Sequence, residues 1–338
     1  MKTNFMRNFL IITILLILLG FLSIYYVAFY PNASKNFNLK IPTGSKYNDL
    51  MRILKENKVL KNYKTFDIIS HKKNLINHIN PGNYKIIKGM SNNSLINKLR
   101  SGNQDPVKLI IRSGIYTEEL VKSVSMQIET DSTYLKKLLL SDSVAKKYNF
   151  TKDNFMAMFL PNTYYFYWNT DAQKFLYRMN YEYNKFWNAE RRKKAIETGL
   201  NTTDIVILAS IIEKETSKTD EMPRIAGLYI NRLNKKMPLQ ADPTIKFAAS
   251  DPSLNRILFK HLKIESPYNT YKNLGLPPGP ICLPSIKAIE SVLNYERHNF
   301  LYFCAKEDFS GYHNFASSYQ QHLRNRLLYL RSLNSNKR

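Results

Sequence analysis

The sequence predicts an α+β protein: a single N-terminal transmembrane helix, a small α+β module, and a mixed, largely helical remainder. Three observations carry this expectation. An uncharged run of 22 residues, FLIITILLILLGFLSIYYVAFY, extends from Phe9 to Tyr30. Three later segments share a strand–turn–helix pattern. From about Met126 onward apolar residues recur at helical spacing and alternate with loops rich in proline and amides.

As a helix rising ~1.5 Å per residue, the Phe9–Tyr30 run spans about 33 Å, enough to cross a bilayer. A cleaved signal peptide would normally have an apolar core of only about 7 to 15 residues. Lys2 and Arg7 precede the run, and the first basic residue after it is Lys35. This charge bias puts residues 1–8 in the cytoplasm and everything beyond the helix outside it. Tyr25, Tyr26 and Tyr30 provide an aromatic belt at the outer interface. The chain of 338 residues carries 50 Lys and Arg against 26 Asp and Glu, a formal charge of +24. Such a charge would ordinarily suggest nucleic acid, but with the domains outside the cytoplasm it points to lipid headgroups or the cell wall. A hydrophobic content of 44% with only 11 Gly and 14 Pro excludes a disordered or collagen-like chain. Cys282 and Cys304 are the sole cysteines, so no disulfide framework organises the fold.

The repeated segments are NLKIPTGSKYNDLMRIL, NYKIIKGMSNNSLINKL and KLIIRSGIYTEELVKSV. In each, a β-rich run leads to a glycine (Gly44, Gly89, Gly114), with apolar residues six and ten positions later (Leu50 and Leu54, Leu95 and Leu99, Leu120 and Val124). A separation of four places each apolar pair on one helical face, and Ser or Thr after the glycine is expected to cap the helix. The segments define a module over 36–125. Between Pro31 and Ser125 there are 17 basic and 6 acidic residues, a balance of +11 that suits a solvated face or an anionic glycan or lipid.

In the remainder, 126–338, the aromatic block LPNTYYFYW reads mainly as core. A helix starting near Thr202 or Thr203 runs through DIVILASIIEKETSK and is apolar nearly all round until Glu213, so it must be central. A second helix places Ile225, Leu228, Tyr229 and Leu233 on one face, with Asn231 and Arg232 off it. LQADPTIKF and YNTYKNLGLPPGPICLPS then form extended loops of the kind that build sites. The six histidines make neither HxH nor HExxH, and GxSxG, P-loop and GxGxxG patterns are missing, so neither metal nor cofactor is called for. The carboxylates remain. Glu213 and Glu215 lie about 200° apart on their helix and cannot form one catalytic pair. One can enter a cleft while the other caps structure. A carboxyl flanked by Leu208, Ile211 and Ile212 is desolvated and holds its proton at higher pH.

LASIIEKET, followed in order by INRL, LQADPT, YNTY, GLPPGPI and a terminal HNF, resembles the MltG (YceG-like) family of endolytic peptidoglycan transglycosylases. The anchor and a LysM-like N-terminal module agree with that resemblance, which covers nearly the whole chain. It implies a YceG-like catalytic domain over 126–338 and a catalytic glutamate at the second position of EKET, Glu215. FLPNTYYFYW departs from the family's FPDTY block, with Asn162 in place of Asp. The implied reaction cleaves glycan strands between N-acetylmuramic acid and N-acetylglucosamine, the muramic O6 hydroxyl attacking C1 to leave a 1,6-anhydro end. One carboxyl suffices, first as acid and then as base. Glu213 is a supporting carboxylate, and Asn231, Gln240, Asp242, Thr244, Tyr268, Asn269 and His313 are candidates for binding the sugars. The implied partners are peptidoglycan strands, the cytoplasmic membrane and peptidoglycan synthases, with no nucleic acid. The rival readings are a hydrolase that activates water, usually through two carboxyls, and a noncatalytic wall-binding scaffold.

Overall fold

The computed structural model describes residues 2–251, 254 and 256–335. The protein is mixed α+β and mostly helical, and its chain divides into two compact units. The first unit comprises Met1–Leu109, Met126–Thr130 and Tyr165–Asp171; the second comprises Ile110–Ser125, Asp131–Tyr164 and Ala172–Arg338.

The first unit begins with helix α1 (Lys2–Phe29), in which Phe5–Phe29 is long and apolar enough to cross a membrane. Tyr25 stacks on Phe29 and Tyr26 on Tyr30 near its end. Strand β1 (Phe37–Ile41), helix α2 (Tyr47–Glu56) and helix α3 (Tyr63–Lys72) follow, then β2 (Gly82–Ile86) and α4 (Asn92–Ser101). β1 and β2 pair antiparallel, with Leu39 opposite Tyr84 and Ile41 opposite Gly82. Their inward residues Leu39, Ile41, Tyr84 and Ile86 are fully buried together with Leu50, Leu54, Leu95 and Leu99 from α2 and α4. The end of α1 is fixed to this core by amides. Asn92 Nδ2 donates to the Val27 carbonyl at 2.9 Å, and Asn32 Nδ2 donates to Asn92 Oδ1 at 2.7 Å and to the Asn62 carbonyl at 2.8 Å.

β3 (Val107–Ile111) and α5 (Thr117–Gln127) complete the third strand–turn–helix segment. Gly44, Gly89 and Gly114 all have left-handed φ, between 73° and 88°, which explains glycine at each of these turns. The capping expectation holds only for the second segment, where Ser91 Oγ accepts from Ser94 N. In the first, the Lys46 N–H donates to Asp49, and in the third the Tyr116 N–H donates to Glu119. A carboxylate three residues on reaches back to the backbone N–H of the cap residue, the reciprocal bond to the one a serine oxygen makes.

The second unit continues through α6 (Ser132–Leu139), α7 (Asp142–Lys147), α8 (Ala172–Phe186) and α9 (Ala189–Glu197); strand β4 (Asn162–Phe166), which pairs with β3, has its residues up to Tyr164 in this unit. Tyr164 and Phe166 of the aromatic block are buried, whereas Tyr165 and Tyr167 are exposed, as strand alternation requires. Helix α10 (Thr202–Glu215) is capped one residue earlier than expected, by Asn201, whose side chain accepts from Asp204 N at 2.9 Å. Every residue from Ile205 to Ile212 is buried. Around it pack α11 (Met222–Asn234), α12 (Asp242–Ala248) and α13 (Ile286–Leu293). Gly227 of α11 permits a close approach, since a Cβ there would fall 2.1 Å from the Glu296 carbonyl oxygen. A β-hairpin of β5 (Tyr302–Ala305) and β6 (His313–Ala316) leads into α14 (Tyr319–Ser335), which packs on it.

Candidate active site

The polar end of α10 sends its two glutamates in different directions, as the helical geometry requires. Glu213 Oε2 accepts from Ser285 N at 3.1 Å and from Ser285 Oγ at 2.6 Å, tying α10 to the start of α13. Glu215 turns the other way, and its Oε1 accepts from the Tyr229 hydroxyl at 2.7 Å. Lys214, between them, donates to the Gly114 carbonyl at 2.7 Å and lies over the Tyr116 ring.

Glu215 is electrically unlike an ordinary surface carboxyl. Burial pushes its pKa up from 4.5 to about 7, the Tyr229 hydrogen bond pulls it down, the charge of Asp242 pushes it up, and His313 and Lys246 pull it down. Desolvation dominates because a carboxylate out of water loses hydration that one hydroxyl does not replace. Near neutrality this carboxyl therefore exists in both forms and can give or take a proton. Tyr229 is buried, and its hydroxyl is held well above its usual pKa by burial and by the Glu215 charge, so it remains a donor.

The flanking carboxyls have their own partners. Asp242, at the start of α12, accepts from the Tyr271 hydroxyl at 2.5 Å. On β6, His313 Nδ1 lies 2.7 Å from Glu221 Oε2, and the His313 N–H donates to Glu221 Oε1 at 2.8 Å. Phe303 packs edge-on against both Tyr229 and His313. Of the residues singled out in the sequence, the fold thus brings Glu215, Asp242 and His313 into one electrostatic neighbourhood.

The amides and hydroxyls sit elsewhere in the bonding scheme. Asn231 Nδ2 donates to the carbonyls of His298 (2.7 Å) and Phe300 (3.1 Å). Asn269, fully buried, donates to the carbonyls of Leu262 and Ile264 and accepts from Tyr271 N. Thr244 Oγ1 is 2.7 Å from the Ala241 carbonyl and 2.8 Å from Thr270 Oγ1. Gln240 adopts a left-handed φ of 52°, and its Oε1 accepts from Arg232. Tyr268 packs on Phe247 and helps line a cavity of about 150 Å³ with Tyr116, Met156 and Cys282. Cys282 and Cys304 are both free thiols, and burial pushes the Cys282 thiol up to about 12.

In the sequence Tyr229 shares one helical face with Ile225, Leu228 and Leu233, and no pattern marks Tyr271 or Glu221. The available signal was chemical: a buried tyrosine next to a carboxyl-bearing helix needs a partner for its hydroxyl. Arg232 lies off the apolar face yet is buried, donating to the carbonyls of Leu301, Pro238 and Leu239. It anchors the segments on either side of the site.

The family model described as YceG-like matches residues 39–327. This chain belongs to the YceG-like family. It is 29% identical over 321 residues to the endolytic murein transglycosylase of Bacillus subtilis, a match covering 88% of this chain and 86% of that protein. It is 28% identical to the endolytic murein transglycosylase of Streptococcus pneumoniae D39, covering 95% of this chain but 64% of that longer relative. A crystal structure of a YceG-like protein from Listeria monocytogenes superposes with a TM-score of 0.57 at 26% identity, covering 86% of this chain and 98% of the other. In this chain the EKET segment ends α10, where the Glu215 carboxyl meets Tyr229 and feels the charges of Asp242 and His313.

Proposed function

We propose that this YceG-like protein is an endolytic murein transglycosylase that cuts peptidoglycan strands between N-acetylmuramic acid and N-acetylglucosamine without water. The observation that carries the reading is the desolvated carboxyl of Glu215, raised to about 7 and fixed through one oxygen by Tyr229. Protonated Glu215 gives its proton to the glycosidic oxygen as the bond from that oxygen to the muramic C1 breaks. The resulting carboxylate takes the proton of the muramic O6 hydroxyl as O6 bonds to C1. Glu215 ends protonated, ready for another cycle, and no atom of water is consumed. With Oε1 engaged by Tyr229, Oε2 is left to face the reacting oxygens.

In this reading Asp242 raises the proton affinity of Glu215, while His313 and Glu221 close one side of the site. Glu213 holds α10 to α13. Asn231, Gln240, Thr244 and Asn269 shape the loops that receive the sugars, and Tyr268 offers an aromatic wall. Helix α1 anchors the protein in the cytoplasmic membrane, residues 1–8 inside and the catalytic region, 126–338, outside. The strand–turn–helix region 36–125 serves as a LysM-like glycan-binding module, and peptidoglycan synthases are its natural neighbours. Purified glycan strands digested with the wild-type protein should yield internal cuts with 1,6-anhydromuramic ends, lighter by about 18 Da than hydrolysed ends. Reducing ends would instead mark a hydrolase, and uncut strands a scaffold.

A further inference from the structure

Helix α14 presents a face that its own domain leaves uncovered. His322, Asn325 and Tyr329 are the partly buried side, where His322 stacks on Tyr302 of β5 and Tyr329 meets Phe309. At ~100° per residue, Tyr319, Leu323, Leu327 and Leu330 fall within about 80° of one another on a different side, with Tyr319 at its edge, where its ring also meets Tyr302 and His322. Their exposures are 58%, 36%, 53% and 40%. Arginines border this stripe, Arg326 along one edge and Arg324 and Arg331 along the other, all exposed. From Tyr319 to Ser335 the helix contains no acidic residue.

We infer that α14 is an interfacial helix that lays its Tyr319–Leu323–Leu327–Leu330 stripe onto the surface of a bilayer rich in anionic phospholipid. Charge complementarity selects this occupant: arginines flanking an apolar stripe insert their stems beside it and direct guanidinium groups to phosphate. Pairing with a second copy would set arginine borders against arginine borders with no acid in the helix to relieve them. The helix of 17 residues, about 26 Å long, with three arginines lies on a membrane rather than crossing it. Such docking uses the membrane assignment only as a source of proximity and is independent of the chemistry assigned to Glu215.

The test uses full-length protein carrying Leu327→Trp, with wild type for the Trp168 and Trp187 background, mixed with preformed vesicles containing brominated lipids. Vesicles of phosphatidylcholine alone are compared with vesicles containing phosphatidylglycerol. Quenching of the added tryptophan is expected in the anionic vesicles. It should fall to the phosphatidylcholine level in high salt or when Arg324, Arg326 and Arg331 are all changed to Gln. Gln321→Trp, on another side of the same helix, should stay unquenched. Equal quenching in both lipids, equal quenching at both positions, or an emission shift that follows protein concentration without lipid quenching would overturn the inference, the last in favour of self-association. Far-ultraviolet dichroism of each variant guards against misfolding. Removal of the N-terminal helix from the mature chain would alter the anchor and leave this readout in place, so the two failures are distinguishable.

Discussion

The two units solve the problem of burying polar groups in opposite ways. In the first, Asn32, Asn62 and Asn92 form an amide network around the end of α1, joined by Thr65 and the Val27 carbonyl. These groups are neutral at every physiological pH and satisfy one another, so burial costs little once the network is complete. In the second, the group that sets the contrast is the half-buried carboxyl of Glu215, with one hydroxyl partner and a neighbouring carboxyl that opposes its ionisation. The amide network makes a pH-independent mount for a helix. The carboxyl makes a proton store whose ionisation weakens the fold.

The largest break in this comparison should come from Glu215→Gln, which retains the shape and the ability to accept from Tyr229 but cannot exchange the proton. Cleavage should fall by about 10² to 10⁴, measured as release of anhydro-ended fragments, with the fold intact. The same substitution should alter stability in a pH-dependent way. Raising a carboxyl from 4.5 to about 7 gives a contribution that is present in full below 4.5 and lost as pH rises through 7. Above pH 7 the glutamine variant should be the more stable protein, by up to about 3 kcal/mol. Equal thermal unfolding of the two at pH 8 would contradict the desolvated carboxyl.

Asn92→Ala supplies the matching perturbation of the first unit. It removes the donor to the Val27 carbonyl and one of the acceptors of Asn32, which keeps Asn62, at a cost of about 1–3 kcal/mol. Its stability loss should be the same at pH 5 and pH 8, with cleavage per folded molecule unchanged.

Smaller effects sharpen the assignment. Tyr229→Phe removes the group that favours the carboxylate, so the pKa of Glu215 should rise further and the alkaline fall of kcat/KM should move to higher pH. Asp242→Asn removes a charge that opposes ionisation, and the same limb should move to lower pH. Profiles that shift in the same direction would contradict the opposed influences. Glu213→Gln should be mildest, costing about 1 kcal/mol of stability at the Ser285 contact while leaving measurable cleavage.

What the sequence disclosed was mostly local. Leu50 with Leu54, Leu95 with Leu99 and Leu120 with Val124 are legible because a helix face is fixed by a separation of four, and all six side chains are buried. The divergence of Glu213 and Glu215 is equally local, a matter of helical turn. The antiparallel pairing of β1 with β2 joins strands whose partners lie about 45 residues apart, beyond the reach of periodicity. The site itself is long-range: Tyr229 reaches Glu215 across 14 residues, Tyr271 reaches Asp242 across 29, and His313 reaches Glu221 across 92. Asn231 and Asn269 illustrate the converse. Amides near a site suggest sugar binding, but tertiary structure directs these donors to backbone carbonyls of the surrounding loops.

The central claim, that Glu215 stores a proton near neutrality, is tested most directly by an infrared titration of wild type minus Glu215→Gln. The account predicts a protonated carboxyl band belonging to Glu215 that disappears with a midpoint near pH 7. A midpoint near 4.5, the value of a solvated glutamate, would contradict it.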